Sequence, residues 1–527
     1  MELAGISAIS FPGSEAEQAV GHILANLRRK SDVTARRRSR TMDFDDATMS
    51  ESDDKVRVRF VTKVLSIRVT ETPIAVPRSL RRYGLSEVIN HLLGRSPPTP
   101  FDILVRDQFL RSSLRQYMER AALSGESILE LEYLPALREP EEQEGATQPD
   151  WVGAIASGGA GSGFFVTGGY DGALRVYDDD CRVLLSEAAH TQPVTAVAIA
   201  AAAIGGGGSI GGQWCVTGSK DHSARLWMLM ADGGIRVVAK LRGHNNSMAS
   251  ACFAPSGDRL ATGDWDGRIC LWKPPAVLPA DNDVDDDAAD DEVSEAAQLG
   301  KAGNTKRRKL AAGTAKKRAA AAVGAAEQVP TETFKAHAQA VSGMVWPAGG
   351  GSGGIAYTGS WDRSVKTWDV ERQDCVHTVS AAKVVTCMAG STAGGSSNGG
   401  EGASSGGGGG AAPLLATGHP DAVVRVWDPR AGAEALTLVL TKLSSHREWV
   451  SGVAWLPGSA HLLASAAQDG AVKLWDVRST VPLHSVTAHA GSKALCVAWH
   501  GARVLSGGAD GAIKCFAVPD ATVASAS

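Results

Sequence analysis

The chain has no apolar run long enough to cross a bilayer, so a helical membrane span is not expected. It also has no C-x-x-C pair, the close ligand spacing that structural zinc requires. Its eight cysteines stand singly: Cys181, Cys215, Cys252, Cys270, Cys375, Cys387, Cys496 and Cys515. Several sit in apolar strand patterns such as IKCFAV, and they read as reduced, buried thiols of an intracellular protein. No charge of one sign dominates: 53 Lys and Arg stand against 57 Asp and Glu, a formal net charge of −4. No whole-chain field therefore calls for nucleic acid or an acidic membrane. No cationic segment leads into an apolar core near residue 1, so a secretory signal is not expected. The phosphate-cradling G-x-x-x-x-G-K-[ST] and the metalloprotease H-E-x-x-H are missing too. At 527 residues the chain exceeds one ordinary domain, and nothing in it asks for a cofactor.

What the chain does have is a period. The stretch TGSWDRSVKTWD at 358–369 packs hydroxyls, carboxylates and tryptophans together, with His337 upstream, and could be mistaken for an active site. It recurs as VTGGYDGALRVYD, VTGSKDHSARLW, ATGDWDGRICLW, ATGHPDAVVRVWD, ASAAQDGAVKLWD and LSGGADGAIKCF. The turn aspartates are Asp171, Asp221, Asp266, Asp362, Asp421, Asp469 and Asp510. Most of their spacings lie near the 40–50 residues of WD repeats, and the long third-to-fourth gap is explained by an insertion.

Each unit has an alternating strand, a tight turn carrying Asp, and a second alternating strand ending in an aromatic. A histidine followed by a further strand precedes most units: His190, His244, His337, His446 and His489. Four short antiparallel strands make a blade, and circular closure protects edges that an open sheet would leave unpaired. The expected fold class is mainly β: a seven-bladed WD-repeat β-propeller over 150–520, preceded by a small ubiquitin-like α+β domain. In WD-repeat proteins the histidine, a strand Ser or Thr, the turn Asp and the Trp form one hydrogen-bonded chain. In the fourth unit these would be His337, Thr358, Asp362 and Trp368. A catalytic triad at seven periodic places would make no chemical sense, so the stretch is read as scaffold. Tyr177 and Phe516 replace Trp in the first and last units. The fifth has no clear partner histidine, since His377 lies far from Asp421, so these units should be less well pinned.

Residues 1–54 mix LRRK and ARRRSR with acidic residues, show little periodicity and read as disordered. Residues 273–332 hold DNDVDDDAADDEVSE followed by KAGNTKRRKLAAGTAKKR. One reading is a solvated loop. The other is a two-part nuclear import signal made by Lys306, Arg307, Arg308 and Lys309 with Lys316, Lys317 and Arg318. A Gly/Ser-rich insert spans 389–412, and 521–527 form a tail.

The domain at 55–136 has its own pattern. VRVRFV places Val56, Val58 and Phe60 on one face and LSIRVT places Leu65, Ile67 and Val69 likewise, which reads as a hairpin. LSEVINHLLG carries a helical stripe of Val88, Ile89, Leu92 and Leu93, with Ser86 near its start and Gly94 at its end. In ILELEY, Leu129, Leu131 and Tyr133 alternate against Glu130 and Glu132. A linker is expected at 137–149.

VRVRFVTK, TPIAVPRSLRRYGLSEVINHLL, PTPFDILVRDQFLRSSL and LEYLPA resemble the Notchless-like N-terminal domain joined to a WD propeller, above all the WD-repeat-containing protein 12 family of ribosome biogenesis factors. The resemblance covers about 55–517. It implies a non-catalytic nucleolar and nucleoplasmic assembly factor for the large ribosomal subunit and pre-rRNA maturation. Such factors form a trimer with pescadillo and the block-of-proliferation WD protein on the pre-60S particle. The AAA ATPase midasin releases them by gripping the ubiquitin-like domain. No membrane is involved, and RNA contact would be indirect, since no aromatic stacking platform is visible. The resemblance further implies that Glu126, in LSGESILELEY, completes the coordination of a metal in midasin's adhesion-type site, a task suited to a hard oxygen donor. This chain alone would bind no metal. Two alternatives remain open: a Notchless-type assembly factor with about eight blades, and a cullin-RING ligase substrate receptor using Arg430 in WDPR and Arg478 in WDVR.

Overall fold

A computed structural model of the chain describes residues 55–123, 127–158, 163–204, 212–230, 234–275, 326–347, 354–391, 413–429 and 439–519. The segment 1–54, the import-signal residues 306–318, Glu126, Arg430, most of 389–412 and the tail lie outside the described residues.

The first strand, β1 (Lys55–Val61), alternates as its sequence demands: Val56, Val58 and Phe60 are buried while Lys55 and Arg57 face solvent. Its hairpin partner is not LSIRVT. Leu65–Ile67 is one turn of 3-10 helix, and β1 pairs antiparallel with β2 (Ile74–Pro77) instead. The physical reason is Tyr133. Its hydroxyl donates to the Ile67 carbonyl at 2.6 Å and accepts the Val69 amide at 3.0 Å, so this segment satisfies its backbone without a ladder. Ile67 and Val69 remain in the core. Helix α1 (Arg82–Leu92) buries Leu85, Val88, Ile89 and Leu92, and Gly94 takes φ +61 just past its end. Ser86 lies a full turn inside the helix, where its hydroxyl accepts the Phe101 amide at 2.9 Å. Strands β3 (Phe101–Val105) and β4 (Gln108–Phe109), helix α2 (Leu114–Arg120) and strand β5 (Leu129–Pro135) complete the domain. The sheet order is β2-β1-β5-β3-β4, with β5 parallel to β1 and antiparallel to β3.

Among the described residues the repeats form seven sheets. Their innermost strands are Val152–Ser157, Val194–Ile204, Met248–Phe253, Val341–Val345, Cys387–Gly390, Val450–Trp455 and Ala494–His500. Each innermost strand packs against that of the next sheet, and the seventh returns to the first. The stretch expected as a linker holds a strand, β6 (Glu141–Thr147), which is the outermost strand of the seventh sheet. It runs antiparallel to Ala512–Ala517, with Thr147 opposite Ala512 and Glu141 opposite Ala517. EEQEGAT hides its strand character because nearly all of it is exposed, and backbone pairing rather than an apolar stripe holds it. The charged insert is likewise shorter than 273–332 at its far end: Ala326–Gln328 adds a fifth, parallel strand to the second sheet.

The residue after each turn aspartate needs a left-handed backbone. Gly267 supplies it at φ +80, and a Cβ there would meet the His337 carbonyl oxygen at 2.2 Å. All eight cysteines are free thiols. Cys375 departs from the expectation of burial, since it lies exposed on Asp374–Ser380.

Candidate interaction sites

The motif that imitates an active site is a repeated structural chain. In the fourth repeat the His337 Nδ1–H donates to Asp362 at 2.9 Å, and Nε2 accepts from the Thr358 hydroxyl at 2.7 Å. Trp368 Nε1 then donates to the same Thr358 oxygen at 2.8 Å. Burial works against ionisation at Asp362, but donors from Ser364, the Ala338 amide and His337 outweigh it and hold the carboxyl down at about 2. Burial lowers His337 below its ordinary value despite Asp362, so at neutral pH it is an uncharged orienting group. The Thr358 hydroxyl is buried beneath the imidazole and the indole, where no substrate could reach it.

The second repeat repeats this arrangement with His190, Thr217, Asp221 and Trp227, and the sixth with His446, Ser465, Asp469 and Trp475. In the third the partner of His244 is Asp264, at 2.9 Å, not the expected Asp266. Asp264 is wholly buried; Asp266 is exposed at the turn and accepts from Asn246 at 2.7 Å. Burial lowers the His244 pKa, but the hydrogen bond His244 donates to Asp264 and the neighbouring Cys270 override it and raise it to about 9. Asp510 joins His489 and Ser506 in the seventh repeat, where Phe516 offers no N–H to close the chain.

The first and fifth repeats use substitutes. In the first, Gln148 takes the histidine's place, donating to Thr167 at 2.6 Å and to the Tyr177 hydroxyl at 3.0 Å. Arg175 bridges the Gln148 carbonyl oxygen and Asp171. In the fifth, His419 reaches back two residues to Thr417 at 2.8 Å and donates through Nδ1 to the Val384 carbonyl at 2.9 Å. Asp421 is held instead by Arg425, at 3.1 and 2.6 Å. Burial and Arg425 push the His419 pKa down to about 4. Both repeats are therefore as fully hydrogen-bonded as the others. Both have an arginine four residues after the turn aspartate, but so does the second repeat with Asp221 and Arg225, so that arginine alone is no signal of the substitution.

On the small domain, Ile128 is exposed and Leu129 buried where β5 begins, and Ala122 takes φ +50 at the end of α2. Position 126 falls between them in sequence, outside the described residues. Around α1 a cleft of about 490 Å³ is lined by Arg81, Arg82, Tyr83, Glu87 and Arg111, among others. Asp102, which is not part of that lining, is buried 2.7 Å from Arg82 Nε. That N–H is aligned on the Phe101 carbonyl, so the carboxylate has a charge contact there without an aligned hydrogen bond. Burial raises the Asp102 pKa, with Arg82 and Arg111 opposing. Arg478 of the WDVR motif has a side chain only 8% exposed, forked onto Asp476 at 3.0 and 2.8 Å.

Sheets pinned by this chain, behind a separate small domain, define a WD-repeat protein with an N-terminal accessory domain. The family model for the NLE (NUC135) domain matches residues 56–118, and the WD domain, G-beta repeat model matches 181–228, 235–273, 328–369 and 437–476. Those four matches end on the four repeats with a complete His–Ser/Thr–Asp–Trp chain. A Chlamydomonas reinhardtii protein named ribosome biogenesis protein WDR12 homolog is 34% identical, covering 88% of this chain and 98% of its own length. Its Oryza sativa namesake is 33% identical over 89% and 97%. Ribosome biogenesis protein YTM1 of Eremothecium gossypii is 29% identical over 88% and 98%. The chain belongs to the WDR12/YTM1 family of ribosome biogenesis proteins.

Proposed function

We propose that the protein is a non-catalytic scaffold in assembly of the large ribosomal subunit, built as a closed seven-bladed propeller behind a ubiquitin-like domain. The observation that carries this is collinear similarity: relatives named for ribosome biogenesis match across both the small domain and the repeats, over nearly their whole length. In this reading the propeller joins pescadillo- and block-of-proliferation-type partners on the pre-60S particle, in the nucleolus and nucleoplasm. The basic pairs at 306–309 and 316–318 carry it into the nucleus. Midasin grips the small domain, with Glu126 as ligand to a metal that belongs to the ATPase. Its place in the chain supports this reading, since it falls between α2 and β5 in sequence and Ile128, just before β5, is exposed. The ligase-receptor alternative is weakened, because Arg478 is buried on Asp476 and unavailable to an adaptor.

The test is binding of purified Glu126→Ala protein to the isolated adhesion-type domain of midasin in Mg²⁺. We expect normal folding and normal capture of the two trimer partners, with midasin binding reduced at least about 100-fold, the equivalent of about 2.7 kcal/mol. Undiminished binding removes Glu126 from the mechanism.

A further inference from the structure

Among the described residues, an arginine of the repeats reaches the small domain. Arg478 follows Trp475–Asp476 at the end of the third strand of the sixth sheet (Ala471–Asp476), and its guanidinium is forked onto the nearly buried Asp476. Its outer face lies 5.7 Å from the centre of the Phe109 ring, on β4 of the small domain. Arg111 lies 4.9 Å from the same ring, so Phe109 is shared by two guanidinia. Asp107 and Glu132, also of the small domain, add their attraction to Arg478.

A second contact lies beside the first. The His484 imidazole donates through Nε2 to the Leu137 carbonyl at 3.0 Å, and Leu137 packs against the cluster containing Leu456, Leu474 and Val518. The chain between them is short. From Pro135, which ends β5, to Glu141, which starts β6, there are five intervening residues, a reach of roughly 20 Å at full extension. Since β6 is itself an outer strand of the seventh sheet, the small domain cannot stray far even when released.

We infer that Arg478 is a clamp that fixes the small domain against the sixth repeat, so that it is presented in one orientation and moves with the repeats as a single body. A buried guanidinium must keep its partners, and while Asp476 belongs to the repeats, Phe109, Asp107 and Glu132 belong to the other domain. The clamp stands on this geometry alone. Its use as a path by which a pull on the small domain reaches the repeats rests on the function proposed above.

The test measures the distance between domains in the full chain with no partner present. Spin labels are placed at Tyr83→Cys, 62% exposed on the small domain, and at the native exposed Cys375 of the fourth repeat. The parent chain should give one narrow distance distribution. Arg478→Ala and Phe109→Ala should each broaden it and speed tryptic cleavage after Arg138 about tenfold, and the double variant should add little. Phe109→Ala acts only from the small-domain side, so it decides the matter if Arg478→Ala disturbs the 476–479 turn. A broad distribution in the parent chain, or a narrow one kept by Phe109→Ala, overturns the clamp. Either result leaves the midasin reading untouched, because that reading is tested by binding.

Discussion

His244 and Asp264 form a wholly buried ion pair, 2.9 Å apart, in a repeat whose more conspicuous aspartate, Asp266, does none of the pinning. Asp264→Ala should therefore cost about 3–5 kcal/mol of unfolding free energy, because it strands a buried imidazolium. Asp266→Ala should cost less than about 1 kcal/mol, as expected for an exposed side chain. Denaturant titration of both variants checks this. The pair also predicts a pH dependence. The His244 pKa is raised to about 9 in the folded protein, so its contribution is complete below about 6.5 and lost as pH rises through 9. The gap between parent and Asp264→Ala should narrow over that window.

The hydroxyl at the centre of each chain offers a graded experiment. Thr358→Val strands both the His337 Nε2 and the Trp368 N–H and should cost about 2–4 kcal/mol. Ser506→Ala strands only His489, since Phe516 has no N–H, and should cost about half as much. Equal losses in chemical unfolding would show that the indole does not share in the chain.

His419 should behave oppositely to His244. Its pKa is lowered to about 4, so its stabilising contribution is present above the unfolded value near 6.5 and is lost as pH falls towards 4. The loss should reach about 3 kcal/mol at pH 4. His419→Gln can still donate to Val384 and accept from Thr417, and should flatten this acid limb in melting curves recorded from pH 7 to 4.

Gly145 tests the seventh sheet. A Cβ at this position would meet the Ile513 carbonyl oxygen at 2.1 Å, so Gly145→Val should detach β6 from Ala512–Ala517. The expected result is a lower melting temperature and self-association on gel filtration through the uncovered edge. The small domain, which has its own core, should keep its fold.

These residues also mark how far the sequence could be read. The period was plain because the turn aspartates and terminal aromatics recur at fixed offsets, and alternation in β1 and β5 matched the buried faces. Asp264 was obscured by the second aspartate of GDWDG, although it occupies the position of Ser219 and Ser360. His419 and Gln148 were not legible because neither is a histidine about 20 residues upstream of its turn aspartate. LSIRVT has a strand's composition, yet the distant Tyr133 hydroxyl satisfies its backbone another way. Exposed EEQEGAT has no apolar stripe to read, and the Arg478–Phe109 contact joins two folding units that no local pattern connects.

The pairing of Thr147 with Ala512 sets an order of events during synthesis. The small domain emerges first and can fold at once, while the strand directly behind it must wait for a partner about 365 residues downstream. At ordinary elongation rates that is roughly 20–70 s. Throughout this interval the nascent chain carries a bare strand beside a finished domain. A holding chaperone at that junction would guard the newborn protein at its most vulnerable point.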